Sequence, residues 1–191
     1  VREGLAFQRV SFRYDGAGRI VILDFTYNHK DLRVINVYVP TDGSERIAFL
    51  QTLDRYFVTR RQIICGGDFN CLLDLARDKQ GGNASLGGTG ASHLKCLLTR
   101  YHLVDIWRKQ HVSDLAFTWQ NKTGTIRCRL DRFYVSSSLA EQCVFTSAII
   151  PYPYSDHDII QIQLTVDRSS SDVGPGVWKL NTSILKDKNV R

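Results

Sequence analysis

Residues 63–70, IICGGDFN, decide how we interpret the fold and the function of this chain. The apolar residues predict a buried strand, and the two glycines after them predict a close approach of neighbouring backbone or of a ligand. Asp68 and Asn70 follow, and on extended backbone two side chains at this spacing point the same way. Phe69, between them, is predicted to point into the core. The stretch therefore predicts a strand that presents a carboxylate and an amide side by side.

Apolar periodicity on both sides of this stretch predicts further strands and two helices. The predicted strands cover residues 20–27, 32–39, 62–65, 116–120, 130–135 and 159–166, and the first two form a hairpin through the turn at 28–31. One helix follows a cap at Asp42 or Ser44 and carries Ile47, Leu50, Leu53 and Phe57 on one side. The other begins after a glycine-rich surface loop at 78–92 and carries an apolar stripe from Leu94 to Tyr101. Strand, helix and strand in succession favour helices packed on a sheet.

Composition narrows the class of protein. The chain has 191 residues, 43% of them hydrophobic, and a formal net charge of +6, which gives a mild preference for polyanionic partners. The five cysteines are odd in number and form no C-x-x-C pair, so we expect buried free thiols rather than disulfides or a zinc site. Because no apolar run approaches the length of a membrane span and no signal peptide is evident, we expect an intracellular protein, nuclear or cytoplasmic, without a membrane partner.

Polar residues gather where the predicted strands end. The clusters are Asn36 with Tyr38, Asp68 with Asn70, Asp131 alone, and Ser155 to Asp158. Strand ends are where a rigid scaffold presents functional groups to a shared cleft. Carboxylates for a divalent ion, a group that positions water and donors for a developing negative charge are what phosphodiester hydrolysis requires. Each cluster also has a structural alternative, in which Asp131 pairs with Arg129 or Arg132 and residues 154–157 form an Asx-type turn.

Four stretches, in this order, resemble successive motifs of the endonuclease/exonuclease/phosphatase superfamily. They are NVYVP at 36–40, GGDFN at 66–70, RLDRFYVS at 129–136 and YSDHD at 154–158. The third stretch, together with LVDIWRKQH at 103–111, is similar to the apurinic-type endonuclease domain of non-LTR (LINE-type) retrotransposon polyproteins. GPGVWKLN at 174–181 resembles the segment that such polyproteins carry between endonuclease and reverse transcriptase.

This resemblance implies an α+β fold, a deoxyribonuclease I-like four-layer α/β/β/α sandwich of two mixed β-sheets with outer helices. It implies an endonuclease domain at residues 1–166, a linker at 167–176, and at 177–191 the start of the segment leading to a reverse transcriptase in the same parent polyprotein. The implied activity is hydrolysis of a DNA phosphodiester with Mg²⁺, or Mn²⁺, to nick target DNA for retrotransposition.

The resemblance also assigns roles to single residues. Asp68 would activate the attacking water, Asn70 would bind phosphate beside it, and Tyr38 would donate to the scissile phosphate. His157 would stabilise the transition state and Asp131 would hold its tautomer. The implied metal ligands are Asp156 and Asp68, and the weaker implied DNA contacts are Thr118 and Ser155.

The sequence departs from the family at one place. Members carry, upstream of the first strand seen here, an asparagine and the glutamate that is the principal Mg²⁺ ligand, and nothing before Tyr38 resembles either. Glu3 and Glu45 stand in a different context. We therefore expect a fragment that lacks the first strands of one sheet and that ligand.

Two other functions stay open at this stage. The missing ligand favours a non-catalytic remnant that binds DNA or has no function. A phosphatase or phosphodiesterase of the same superfamily that acts on a lipid head group is the third possibility, and the RLDRFYVS and GVWKLN stretches argue against it.

Overall fold

The computed structural model of the chain describes residues 7–83 and 87–165. The strands are β1 (Gln8–Tyr14), β2 (Ile20–Tyr27), β3 (Lys30–Tyr38), β4 (Gln62–Asp68), β5 (Lys79–Gln80), β6 (Leu103–Asp105), β7 (Trp119–Gln120), β8 (Arg127–Cys128), β9 (Asp131–Ser136), β10 (Val144–Ile150) and β11 (Ile159–Thr165). The helices are α1 (Gly43–Phe57), α2 (Leu75–Asp78), α3 (Ala91–Arg100), α4 (Ile106–Gln110) and α5 (Ser137–Gln142). The predicted linker at 167–176 and the tail at 177–191 lie outside the described residues.

A mixed six-stranded sheet, in the order β1-β2-β3-β4-β9-β6, forms the centre of the structure. The predicted hairpin is present as β2 and β3, and Tyr27 pairs with Lys30 across it. Asn28 and His29 form the turn with φ values of 46° and 59°, the left-handed geometry that tight hairpins require. β3 and β4 run parallel and α1 connects them, as the strand-helix-strand order predicts.

One face of this sheet packs against α1 and α3. Ile35 and Val37 of the sheet are buried there with Leu50 and Leu53 of α1 and Leu94 of α3. Each such side chain contributes roughly 1.5–3 kcal/mol by leaving water. Asp42 caps α1, because its carboxylate accepts from the backbone N–H groups of Ser44 and Glu45.

The opposite face packs against an antiparallel pair, β10 and β11. Leu32 and Ile64 of the large sheet are buried in this second core with Phe145 of β10, and Leu164 of β11 packs against it. A third, small sheet has the order β5-β8-β7. The structure is therefore an α+β sandwich in which helices, the large sheet and β10–β11 lie in successive layers.

Three details differ from the sequence predictions. The strand predicted to end at Cys65 continues to Asp68, because both glycines stay in the β-ladder. The strand predicted at 116–120 contains only Trp119 and Gln120. The predicted surface loop begins at a residue that is 1% exposed, Asp78, since that carboxylate pairs with buried arginines.

Several elements gave no clear signal in the sequence. The strands β1, β6 and β10 and the short helices were not predicted. β1 has no buried residue in the structure, so it lacks the alternation that marks a half-buried strand. Four cysteines are buried as expected, whereas Cys96 on α3 is exposed.

Candidate active site

Tyr38, Asp68 and Asp131 form one row across three neighbouring strands. Tyr38 at the end of β3 is paired with Asp68 at the end of β4, and Asp68 is paired with Asp131 at the start of β9. Because side chains in register share a face, all three point to the side of the sheet that carries β10 and β11. The row lies at one end of the sheet, where Tyr38 is 48% exposed.

Asn70 holds the Asp68 carboxylate from both sides. The backbone N–H of Asn70 donates to Asp68 Oδ1 at 2.8 Å, and its side-chain Nδ2 donates to Oδ2 at 3.0 Å. Nδ2 also donates to the carbonyl of Val39 at 2.7 Å. Asn70 has a φ of 45°, so the two side chains meet through a left-handed turn and not through the extended backbone that the sequence suggested. Phe69, between them, is 1% exposed in the core, as predicted.

Two glycines make room for this arrangement. A Cβ on Gly66 would stand 2.3 Å from the ring of Phe133, and one on Gly67 would stand 2.0 Å from the carbonyl oxygen of Val37. Gly67 also has a φ of 136°. The close approach predicted from the sequence is therefore made by the protein's own neighbouring strands.

His157 is joined to the row through Asp131. Its Nδ1 lies 2.9 Å from Asp131 Oδ2, so the imidazole donates from Nδ1 and leaves Nε2 free of this bond. Arg129 and Arg132 do not pair with Asp131, since both bind Asp78 instead. The sequence left open whether Asp131 pairs with an arginine or with the histidine, and in the structure its partner is His157.

Thr118 stands behind Asp131. It is 1% exposed, and its hydroxyl oxygen accepts from the backbone N–H groups of Leu130 and Asp131, each at 3.0 Å. The side chain implied as a DNA contact thus lies inside the protein, where it fixes the backbone that carries Asp131.

The turn that carries His157 is tied to the small sheet. The Ser155 hydroxyl accepts from the backbone N–H of His157 at 3.0 Å, so the turn here is made by a serine side chain and is not the Asx-type turn that the sequence suggested. Asp156 is exposed, and its carboxylate accepts from Trp119 Nε1 at 3.0 Å. Trp119 also forms a β-bridge with His157.

Two groups in the site have shifted pKa values. Burial raises the pKa of Asp68 and the neighbouring Asp131 carboxylate raises it further, against the backbone N–H of Asn70. The hydrogen bond to Asp131 raises the pKa of His157, although burial opposes the change. A carboxylate made more basic and an imidazole that favours its cationic form are a suitable base and donor for one reaction.

Asp68, Asp131 and His157 are the group in the described residues that could hold a metal ion. One ligand atom of each lies within 4.8 Å of the others. Asp156, predicted as a ligand with Asp68, is not in this group, because its carboxylate is directed to Trp119. Mg²⁺ is commonly bound by one or two carboxylates together with waters and substrate phosphates, so the paired carboxylates of Asp68 and Asp131 fit such an ion.

Arg19 is a neighbour of this site that the sequence did not single out. Its guanidinium carbon lies 5.2 Å from the centre of the Tyr38 ring. The four-residue turn predicted at 28–31 hides this neighbour, because it is the observed two-residue turn at Asn28 and His29 that places Arg19 opposite Tyr38.

Comparisons with known proteins support the same fold. No family model matches the chain. It is 33% identical over 176 residues to the transposon TX1 uncharacterized 149 kDa protein of Xenopus laevis. The aligned residues make up 90% of this chain but only 13% of that protein. An AP endonuclease of Archaeoglobus fulgidus has a TM-score of 0.64 at 21% identity, with 86% of this chain and 72% of that one covered. The endonuclease domain of TRAS1, a telomere-specific non-LTR retrotransposon, has a TM-score of 0.58 at 13% identity, with 83% and 70% covered.

The chain has the endonuclease/exonuclease/phosphatase fold. The deoxyribonuclease I-like class expected from the four motifs is thereby confirmed, and so is the resemblance to a transposon protein. No helix in the described ranges is both long enough and apolar enough to cross a membrane.

Proposed function

We propose that this chain carries catalytic residues of a DNA endonuclease, which hydrolyses a phosphodiester with Mg²⁺ or Mn²⁺ and nicks target DNA for retrotransposition. The observation that carries the proposal is the convergence of four distant segments on one row. Tyr38, Asp68, Asp131 and His157 come from β3, β4, β9 and the turn before β11, yet they are joined by strand pairing and one hydrogen bond. The similarity to a transposon protein and to two kinds of DNA endonuclease supports DNA as substrate.

The residues divide the reaction between them. Asp68 accepts the proton of the attacking water, and its raised pKa makes it a stronger base than an ordinary aspartate. Asn70 is a positioning residue, because both hydrogens of its amide are used on Asp68 and on Val39. The Tyr38 hydroxyl, on the side of Asp68 away from Asp131, donates a hydrogen bond to the phosphate.

The histidine side of the site stabilises the developing charge. Asp131 holds Nδ1 of His157, so Nε2 is the nitrogen left to donate to a phosphate oxygen. Thr118 fixes the backbone of Asp131 from behind, and Ser155 fixes that of His157. A divalent ion held by Asp68 and Asp131 would supply further stabilisation of negative charge on the phosphate.

The test is nicking of supercoiled plasmid in Mg²⁺ by the chain and by two variants, Asp68→Asn and His157→Ala. Each variant removes a proton acceptor or a donor, so we expect each to lower the rate by about a hundredfold or more. Matched controls are Asp114→Asn and His93→Ala, which change exposed groups of the same kinds elsewhere.

The outcomes separate the competing functions. Equal nicking by Asp68→Asn, His157→Ala and the unaltered chain would refute the site. A rate no higher than that without metal, for a chain folded by circular dichroism, would favour the non-catalytic remnant. Cleavage of a phospholipid head group in preference to DNA would favour the third function.

A further inference from the structure

Arg19 extends the catalytic row by one position. The backbone N–H of Tyr38 donates to the carbonyl of Arg19 at 2.9 Å, and the next residues along the hairpin, Ile20 and Val37, are paired. Arg19 therefore stands opposite Tyr38, and its guanidinium lies over the Tyr38 ring. Read across the strands, the row is Arg19, Tyr38, Asp68 and Asp131.

The backbone of Arg19 is fixed, while its guanidinium is largely uncommitted. The N–H groups of Arg19 and Ile20 donate to Asp15 Oδ1 at 2.7 and 3.0 Å. In the part of the chain that the structure describes, the guanidinium has one hydrogen bond, from Nη1 to the Tyr38 carbonyl at 3.4 Å, and no carboxylate partner. Most of its five N–H donors thus remain for a ligand.

Two other arginines of the large sheet are committed to buried carboxylates. Arg33 binds both carboxylate oxygens of Asp24 at 2.7 Å, and Arg132 is buried against Asp78. The guanidinium of Arg19 differs from these two because it has no carboxylate partner among the described residues, although its row contains the carboxylates of Asp68 and Asp131. A polyanion that approaches Asp68 and Asp131 needs a cation beside them, and a planar guanidinium matches the geometry of a phosphate group.

We infer that Arg19 binds a backbone phosphate of the DNA next to the phosphate that Tyr38 contacts. The inference rests on the proposed function and adds a substrate-binding residue to it. The stacking of the guanidinium on the Tyr38 ring orients the cation and the phenol together, so that one strand of DNA meets both.

The test is binding of a fluorescently labelled DNA duplex, followed by anisotropy over a range of NaCl concentrations in EDTA, so that no cleavage occurs. Each neutralised phosphate contributes about 0.9 to the slope of log K against log salt. Arg19→Ala is expected to lose about that much slope and to bind more weakly, whereas Arg19→Lys keeps the slope because it keeps the charge.

Arg55→Ala is the matched control. Arg55 also stacks on a tyrosine, Tyr56, at 4.7 Å, but it lies on α1 at the opposite face of the sheet. Arg55→Ala removes one positive charge, as Arg19→Ala does, but it should leave the slope of log K against log salt unchanged. If Arg19→Ala has the slope of the unaltered chain, or if Arg55→Ala loses as much slope as Arg19→Ala, the inference is wrong. That result would leave the test of Asp68 and His157 by nicking unaffected, so the two claims fail separately.

Discussion

At the residue scale, Asp131 is available to His157 because its neighbours are engaged elsewhere. Arg129 contacts Asp78 at 2.9 Å and Asp105 at 2.7 Å, and Arg132 contacts Asp78 at 3.0 Å. Two arginines within two residues of a carboxylate would otherwise compete for it. The buried ion pairs thus leave the Asp131 carboxylate as an acceptor for the imidazole.

Asp131→Asn is expected to lower the pKa of His157 toward the ordinary value of about 6.5, because the variant loses the negative acceptor that raises it. The pKa can be measured by NMR titration of the ring protons, without any need for activity. Nicking near neutral pH should fall at the same time, since less of the imidazole is charged. Thr123→Ala, in the turn between β7 and β8 of the small sheet, is the control and should leave the pKa of His157 unchanged. An unshifted pKa would show that Asp131 does not set the state of His157.

The sequence identified most of the charged side chains of the site but not how they are held. Motif order predicted Tyr38, Asp68, Asn70, Asp131 and His157. It did not predict that Asn70 uses its amide on Asp68 and on Val39, because a left-handed turn is a property of the folded backbone. The burial of Thr118 was equally hidden, since Thr118 precedes the two-residue strand β7 and lies outside any periodic pattern.

At the scale of elements, the paired β3 and β4 strands decide the geometry of the site. They carry Tyr38 and Asp68, and they approach so closely at Gly67 that a Cβ there would stand 2.0 Å from the Val37 carbonyl oxygen. The contact is with backbone, which cannot move aside as a flexible side chain can. A substitution at this position must therefore separate the strands or distort the end of β4.

Gly67→Ala is expected to lower the free energy of unfolding by more than about 2 kcal/mol, through the clash and the strain of a positive φ. Denaturation in urea measures the change. Gly88→Ala is the control, because nothing lies within 4 Å of a Cβ there and its φ is outside the left-handed range. Similar stabilities for the two variants would contradict the account of β3 and β4.

Elements with strong periodicity were predictable, and those fixed by tertiary contacts were not. The β2–β3 hairpin, α1 and α3 follow from their apolar patterns and caps. β10 was missed because only one of its residues, Phe145, is buried, so its alternation with polar residues is weak. The extension of β4 through two glycines runs against their low strand propensity and depends on pairing with β3 and β9.

At the scale of the whole molecule, Asp78 connects segments that are far apart in the chain. It lies at the end of α2 and binds Arg129 and Arg132 near β9 and Arg108 of α4, the last at 3.2 Å. Burial raises the pKa of Asp78, but the charges of Arg132 and Arg129 outweigh it, so the pKa lies below the ordinary value. The ionised form of Asp78 therefore stabilises the folded state.

Asp78→Asn is expected to lower the free energy of unfolding at neutral pH by about 3–5 kcal/mol, because it leaves buried arginines without their counter-charge. The native pKa is depressed, so this stabilisation is present above the unfolded value of about 3.9 and is lost as the pH falls through the native value. The difference between the two proteins should then shrink below about pH 4, measured by urea denaturation across pH. Asp114→Asn, at an exposed pair, is the control. A difference that does not depend on pH would contradict the ionic role of Asp78.

The class of fold was predictable from four short motifs, whereas the network of ion pairs that supports it was not. Asp78 falls in a stretch whose glycines and small polar residues predict a surface loop. Its burial depends on arginines that lie 30 to 54 residues away in sequence, and no local pattern reports such contacts.

The most direct test of the account is the chemistry of the nicked product. Supercoiled plasmid is incubated with the chain and Mg²⁺, and the nicked circles are then offered to a DNA polymerase with a labelled nucleotide. We expect Mg²⁺-dependent nicks that carry an extendable 3′ hydroxyl, and we expect Asp68→Asn to lose them. Nicks that form equally in EDTA, or that Asp68→Asn produces at the rate of the unaltered chain, would contradict the account.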